Sequence, residues 1–279
     1  MNYLETSWTT KDNLNIYACH WKADKPKAVV ALVHGFYEHV GRYEHVANYF
    51  LKHGYSVFAF DQRGHGQSEG PRGHTPTYEM LMHDLDYLLE NIESLAPVLP
   101  VILYGHSFGG NVVSNYVLAR KPQIAGAMLS GPWFKLAFEP PKAKVTMARI
   151  MNNIYGAYSE KTEIALDHLS RDKNVGQIYD ADPLVHQEMS ARMFTSILQA
   201  GDWALEHASD LEIPMLLMHG TDDKITSAAA SEQFAASAPE ELLKLKLWKG
   251  LYHEIHNEPE QELVMAYAIE WMDSVIKSK

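Results

Sequence analysis

Residues 100–113 read Pro-Val-Ile-Leu-Tyr-Gly-His-Ser-Phe-Gly-Gly-Asn-Val-Val, and the fold is decided there. Val101 to Tyr104 is a short apolar run of the kind that forms a buried strand. From Ser107 to Arg120 the apolar positions fall at helical spacing. Between them, Gly105-His106-Ser107-Phe108-Gly109 fits the pattern G-x-S-x-G. Composition alone produces that pentapeptide about once in ten chains of this length, so its weight comes from the setting. A strand leads in and a helix leads out, as a nucleophile-bearing turn requires. Small residues two before and two after the serine let strand and helix approach closely. The turn forces Ser107 into a strained backbone conformation and lifts its hydroxyl above the sheet. The helix N-terminus beneath favours developing negative charge. Ser107 is therefore the candidate nucleophile.

Outward from this turn, strands and helices alternate. Residues 3–9 and 14–21 read as an antiparallel hairpin about Lys11-Asp12-Asn13. Continuous apolar runs at 28–33, 55–60, 100–104, 125–129, 213–218 and 242–248 suit strands covered on both faces. Helical patterns fill 42–53, 77–95, 107–120, 226–238 and 259–276, the last with Pro259 in its first turn. Such alternation implies right-handed crossovers and a mostly parallel sheet with helices on both faces. It breaks after the sixth strand. Residues 132–210 are expected to form a helical cap inserted between the core segments 1–131 and 211–279. Met147, Ile150, Met151, Ile154 and Tyr158 recur there at helical spacing. They are expected to pack the cap onto the core, and they suit an apolar tunnel or a lipid surface as well.

Composition narrows the function. The chain has 279 residues and a formal net charge of -11, with no basic block, which argues against a nucleic-acid partner. Its single cysteine, Cys19, excludes an intrachain disulfide and a thiolate metal cluster. It reads as a buried small hydrophobe. No leader-like N-terminal pattern and no 18-residue apolar run are visible. The expectation is a cytoplasmic protein, with peripheral lipid contact left open and the oligomeric state unread.

A serine hydroxyl needs a base, and the base needs an acid that fixes its tautomer. In chain order the acid ends a later strand and the histidine follows the last strand. Residues 216–226 (LLMHGTDDKIT) offer Asp222 and Asp223. Residues 244–259 offer His253 and His256. Spacing chooses within neither pair. Oxyanion donors are expected at the backbone N–H of Phe108 and of Phe36, the latter in the loop that begins His34-Gly35.

Six segments together resemble the monoacylglycerol lipases and, more broadly, the lysophospholipase-like α/β hydrolases. They are residues 34–47 (HGFYEHVGRYEHVA), 60–73 (FDQRGHGQSEGPRG), 104–110 (YGHSFGG), 170–185 (SRDKNVGQIYDADPLV), 219–226 (HGTDDKIT) and 250–260 (GLYHEIHNEPE). The resemblance runs from about residue 25 to 272. It implies the α/β-hydrolase fold and a Ser107, Asp223, His253 triad. It implies cleavage of a lipid carboxylic ester, monoacylglycerol foremost, without metal or organic cofactor. It also implies head-group contacts at Glu38, Arg42, Tyr179 and His256. From the residues alone, Glu38 and Arg42 equally suit an ion pair four residues apart. Tyr179 suits packing, and His256 suits a helix cap. Thr226 departs from the resemblance, because known members carry a cysteine at that position. The cap also matches weakly, so acyl preference is not read from it. Other readings are a short-chain carboxylesterase, lysophospholipase, thioesterase or proline-type aminopeptidase on the same scaffold, or a non-catalytic binding protein.

Overall fold

The computed structural model describes residues 3–162 and 164–277. In chain order its elements are β1 (Tyr3–Thr9), β2 (Asn15–Trp21), β3 (Ala28–Val33), α1 (Glu44–Lys52), β4 (Tyr55–Phe60), α2 (Tyr78–Leu95), β5 (Val101–His106), α3 (Phe108–Arg120) and β6 (Gly126–Ser130). Then come α4 (Lys142–Tyr155), β7 (Ser159–Lys161), α5 (Lys173–Ala181), β8 (Glu188–Ser190) and α6 (Ala191–Glu206). The chain closes with β9 (Met215–Gly220), α7 (Ala228–Ser237), β10 (Leu243–Trp248) and α8 (Gln261–Lys277).

Eight strands form one sheet in the order β1-β2-β4-β3-β5-β6-β9-β10. Strand β2 runs antiparallel to β1 and β4, and every other pairing is parallel. Buried, largely apolar runs explain this: all six residues of β3 and of β4 are buried, as a strand covered on both faces demands. Alternation sorts them. Val29, Ala31 and Val33 point into the apolar cluster built with α2, α3, α6 and α7. Ala28, Val30 and Leu32 point into the one built with α1 and α8. Cys19 is buried in the latter cluster.

Helix α3 is buried almost throughout, its polar Asn111, Ser114 and Asn115 included. Its few polar groups are satisfied internally. Asn111 Nδ2 donates to Ile197 O at 3.3 Å as well as to Trp133 O at 2.8 Å, and Asn115 Nδ2 donates to Ala200 O at 3.1 Å, the Ile197 and Ala200 carbonyls lying on α6. These bonds tie the nucleophile's helix to α6. Strand β6 pairs with β9 directly, so the chain leaves the sheet at residue 131 and re-enters beside the strand it left.

Two expectations change. No residue of α4 is buried: Met147 and Met151 face a cavity, while Ile150 and Ile154 are exposed. Helix α4 packs along α6, and part of its apolar face opens onto the cavity instead of being covered. Helix α8 begins at Gln261, with Pro259 and Glu260 in the preceding turn.

Candidate active site

Ser107 sits between β5 and α3 with φ 52° and ψ −115°, a region costly for any residue with a side chain. The surroundings impose it. Ser107 N donates to Ser130 O at 3.0 Å, and its carbonyl accepts from Trp133 N at 2.9 Å. Gly109 permits the crossing, because a Cβ there would lie 2.1 Å from Val33 O and 2.5 Å from His34 O. Gly105 is equally confined: a Cβ would meet Gly109 O at 2.5 Å.

The candidate acid and base arrive from the carboxyl ends of β9 and β10, respectively. His253 Nε2 is 3.0 Å from Ser107 Oγ. His253 Nδ1 is 2.7 Å from Asp223 Oδ2. Asp223 Oδ1 accepts from Ile225 N at 2.7 Å and from Thr226 N at 2.9 Å. These bonds choose Asp223 over Asp222, whose Oδ1 accepts from Thr221 Oγ1. Burial pushes the His253 imidazole down, but the Asp223 charge and hydrogen bond outweigh it and hold it above the ordinary histidine value. Burial likewise opposes ionisation of Asp223, yet His253 and His219 keep it well below the usual carboxylate range. The pair is poised with Nδ1–H facing the carboxylate and Nε2 free to accept the serine proton.

Phe36 and Phe108 meet edge-on, ring centroids 5.2 Å apart. Phe108 opens α3, where the first N–H groups have no helical partner. A Cβ on Gly35 would lie 3.3 Å from Ser107 Cβ, so the loop carrying Phe36 passes directly beside the nucleophile.

The four head-group candidates separate. Glu38 and Tyr179 line the cavity above Ser107; Arg42 and His256 stand behind its wall. Arg42 is occupied. Its Nη1 and Nη2 donate to the Glu254 carboxylate at 2.7 and 2.8 Å. It also pairs with Glu38, and its guanidinium lies 4.7 Å over the Tyr179 ring. Glu38 Oε1 accepts from Gly35 N and Tyr43 OH, both at 2.6 Å. Burial raises Glu38, while Arg42 overcomes burial and keeps Glu254 well below the usual range. His256 stacks on Tyr43 and meets His106 edge-on, and burial lowers it to about 3. The i,i+4 ion pair is thus present, and it extends to a carboxylate that sequence reasoning missed. Glu254 follows His253 directly, so its position beside the base was the available signal. His219 and Thr226, both against Asp223 Oδ2 at 3.1 and 2.8 Å, were missed as well.

The cavity holds about 780 Å³, within the range of small-ligand sites. Ser107, His253, Glu38, Glu254 and Tyr179 form its polar end. Trp133, Leu136, Met147, Met151, Ile164 and Phe194 are among its apolar walls. Among the described residues, no cluster of His, Cys, Asp or Glu is arranged to hold a metal ion.

Sheet order and elbow define an α/β-hydrolase, and the chain is a serine ester hydrolase. It belongs to the Hydrolase_4 family, described as serine aminopeptidase S33, whose pattern matches residues 24–260. A monoacylglycerol lipase from Mycolicibacterium smegmatis is 34% identical over 91% of this chain and 91% of its own. An uncharacterized abhydrolase domain-containing protein of Dictyostelium discoideum is 38% identical over 91% of this chain, which spans only 27% of that protein. The crystal structure of a Paleococcus ferrophilus monoacylglycerol lipase superposes with TM-score 0.85 at 31% identity, covering 92% of this chain and 98% of that one.

Proposed function

We propose that the protein hydrolyses esters of single-chain lipids, monoacylglycerols foremost, through an acyl-enzyme on Ser107. The observation that carries this is a serine 3.0 Å from a buried imidazole, on the wall of a mostly apolar cavity. His253 removes the Ser107 proton as the hydroxyl attacks the ester carbonyl. Asp223 stabilises the imidazolium. The backbone N–H groups of Phe36 and Phe108 receive the oxyanion. His253 then gives its proton to the departing glycerol, held at Glu38 and Tyr179. Water, activated by the same imidazole, frees the fatty acid.

Residues 132–210 act as the cap of this site. Residues 132–190 roof the cavity, and α6 fastens them to the core through Asn111 and Asn115. Phe138, Ile150, Ile154, Tyr155 and Ile178 are exposed on this segment and suit contact with a lipid surface. No helix among the described residues is long and apolar enough to cross a membrane. A reducing compartment such as the cytoplasm suits the one buried, unpaired thiol.

The family's description makes aminopeptidase activity the second reading. A substrate ammonium next to the scissile bond needs an uncommitted carboxylate beside Ser107, whereas Glu38 and Glu254 are both engaged by Arg42. The test is turnover on a monoacylglycerol series, a short aryl ester and an aminoacyl anilide. The lipid esters should lead. Ser107→Ala should lower kcat by about 10⁴-fold or more. An anilide turned over faster than every lipid ester, or full activity in the alanine variant, refutes the proposal.

A further inference from the structure

Asp223 Oδ2 faces two imidazoles. His253 Nδ1 lies 2.7 Å away on one side and His219 Nε2 lies 3.1 Å away on the other. His219 occupies the end of β9, fully buried. Its other nitrogen, Nδ1, is 2.8 Å from Ser231 Oγ on α7. The tautomer follows from the neighbours. Besides the carboxylate, Nε2 meets Thr226 O at 3.3 Å and, more distantly, Thr226 Oγ1 at 3.4 Å, whose proton has closer acceptors in Asp223 Oδ2 and Gly131 O; the carboxylate and the carbonyl are acceptors only. The Nε2–H form satisfies them; the Nδ1–H form would aim a lone pair at two acceptors in a site closed to water. Ser231 completes the arrangement by donating its hydroxyl proton to Nδ1.

We propose that His219 is a positioning residue of the catalytic group, a second imidazole locked in one tautomer by Ser231 and sharing the Asp223 carboxylate with His253. This rests on the triad assigned above. The backbone N–H groups of Ile225 and Thr226 hold Oδ1, so His219 settles where Oδ2 points. It does so with an N–H that two neighbouring oxygens hold in place. The Thr226 hydroxyl, by contrast, has one proton for two acceptors, Asp223 Oδ2 at 2.8 Å and Gly131 O at 3.0 Å. The His219 N–H also takes up part of the carboxylate's charge. That limits how strongly Asp223 draws a proton onto His253, and the base stays usable near neutral pH.

The signature is kinetic. Without the His219 donor, Asp223 attracts the His253 imidazolium more strongly, so the acid limb of kcat/KM moves to higher pH. The other ionisable groups facing His253 are Glu38, Glu254, His106 and His256. They stay in place. The experiment compares wild type, His219→Leu, His219→Gln, Ser231→Ala and Ser107→Ala on a water-soluble short-chain ester across pH 5–9. Thermal unfolding is recorded alongside. For His219→Leu, a fall in kcat of about tenfold and an upward limb shift of about half a unit or more are expected. His219→Gln, which restores an N–H donor, should return the limb toward wild type. Ser231→Ala should fall between the two. An unshifted limb in folded His219→Leu overturns the proposal, as does equal impairment by Leu and Gln. Activity surviving in Ser107→Ala would instead overturn the triad.

Discussion

Replacing Arg42 by methionine removes a cation that two buried carboxylates share. The guanidinium makes two hydrogen bonds to Glu254, at 2.7 and 2.8 Å, and pairs with Glu38. In the wild type, burial already raises Glu38, whereas Glu254 is held well below the usual range. A carboxyl with a depressed value contributes stability above its unfolded pKa and loses it only as pH falls through the folded one. The wild type therefore keeps the Glu254 contribution from pH 5 to 7. Without Arg42 the sign reverses: Glu254 becomes a buried, unpaired acid whose folded value rises. Its cost is then small at low pH and grows as pH rises. Neutralising a carboxyl of unfolded pKa about 4.3 costs about 4 kcal/mol at pH 7 and about 1 kcal/mol at pH 5. The larger figure agrees with about 3–5 kcal/mol for breaking a buried ion pair. The assay is urea unfolding followed by tryptophan fluorescence at both pH values. Glu254 alone should make the deficit about 3 kcal/mol larger at pH 7 than at pH 5, and adding Glu254→Gln should remove that part, leaving only what Glu38 contributes. A pH 7 deficit under about 1 kcal/mol, or one equal at both pH values, would refute the reasoning.

Two further outcomes are expected. Gly109→Ala drives a Cβ against the backbone carbonyls of Val33 and His34. It should lower Tm by about 5 °C or more and cut activity at least tenfold, and calorimetry with an ester assay checks both. Because Asp223 holds His253 above the ordinary histidine value and the base must be neutral to accept a proton, kcat/KM should fall on acidification with a midpoint above about 6.5. A midpoint near 5 on a pH–rate profile contradicts this assignment.

The sheet was legible because its signal is local. Each six-residue apolar run, such as 28–33 and 55–60, announces a strand covered on both faces, and the glycines around Ser107 announce the turn. The choice between Asp222 and Asp223 was not legible from spacing, since it depends on which carboxylate meets the N–H groups of Ile225 and Thr226. The Arg42–Glu254 pair joins residues 212 apart in sequence, and no periodicity reports such a meeting. The α4 apolar face was legible as a face but not as to what it faces. Periodicity shows that a side is apolar; it does not distinguish a packed neighbour from a cavity. The role of α6 was hidden likewise, because its bonds to α3 run through Asn111 and Asn115 to carbonyls some 85 residues away.

Strand β6 lies against β9, although the chain travels from residue 131 to 214 between them. Pairings that close long loops form late, after local structure has collapsed. On the ribosome the amino-terminal half emerges first, so the alcohol is made well before the ring that activates it. An unfinished chain therefore carries an inert serine, and reactivity begins only when the final strand has docked.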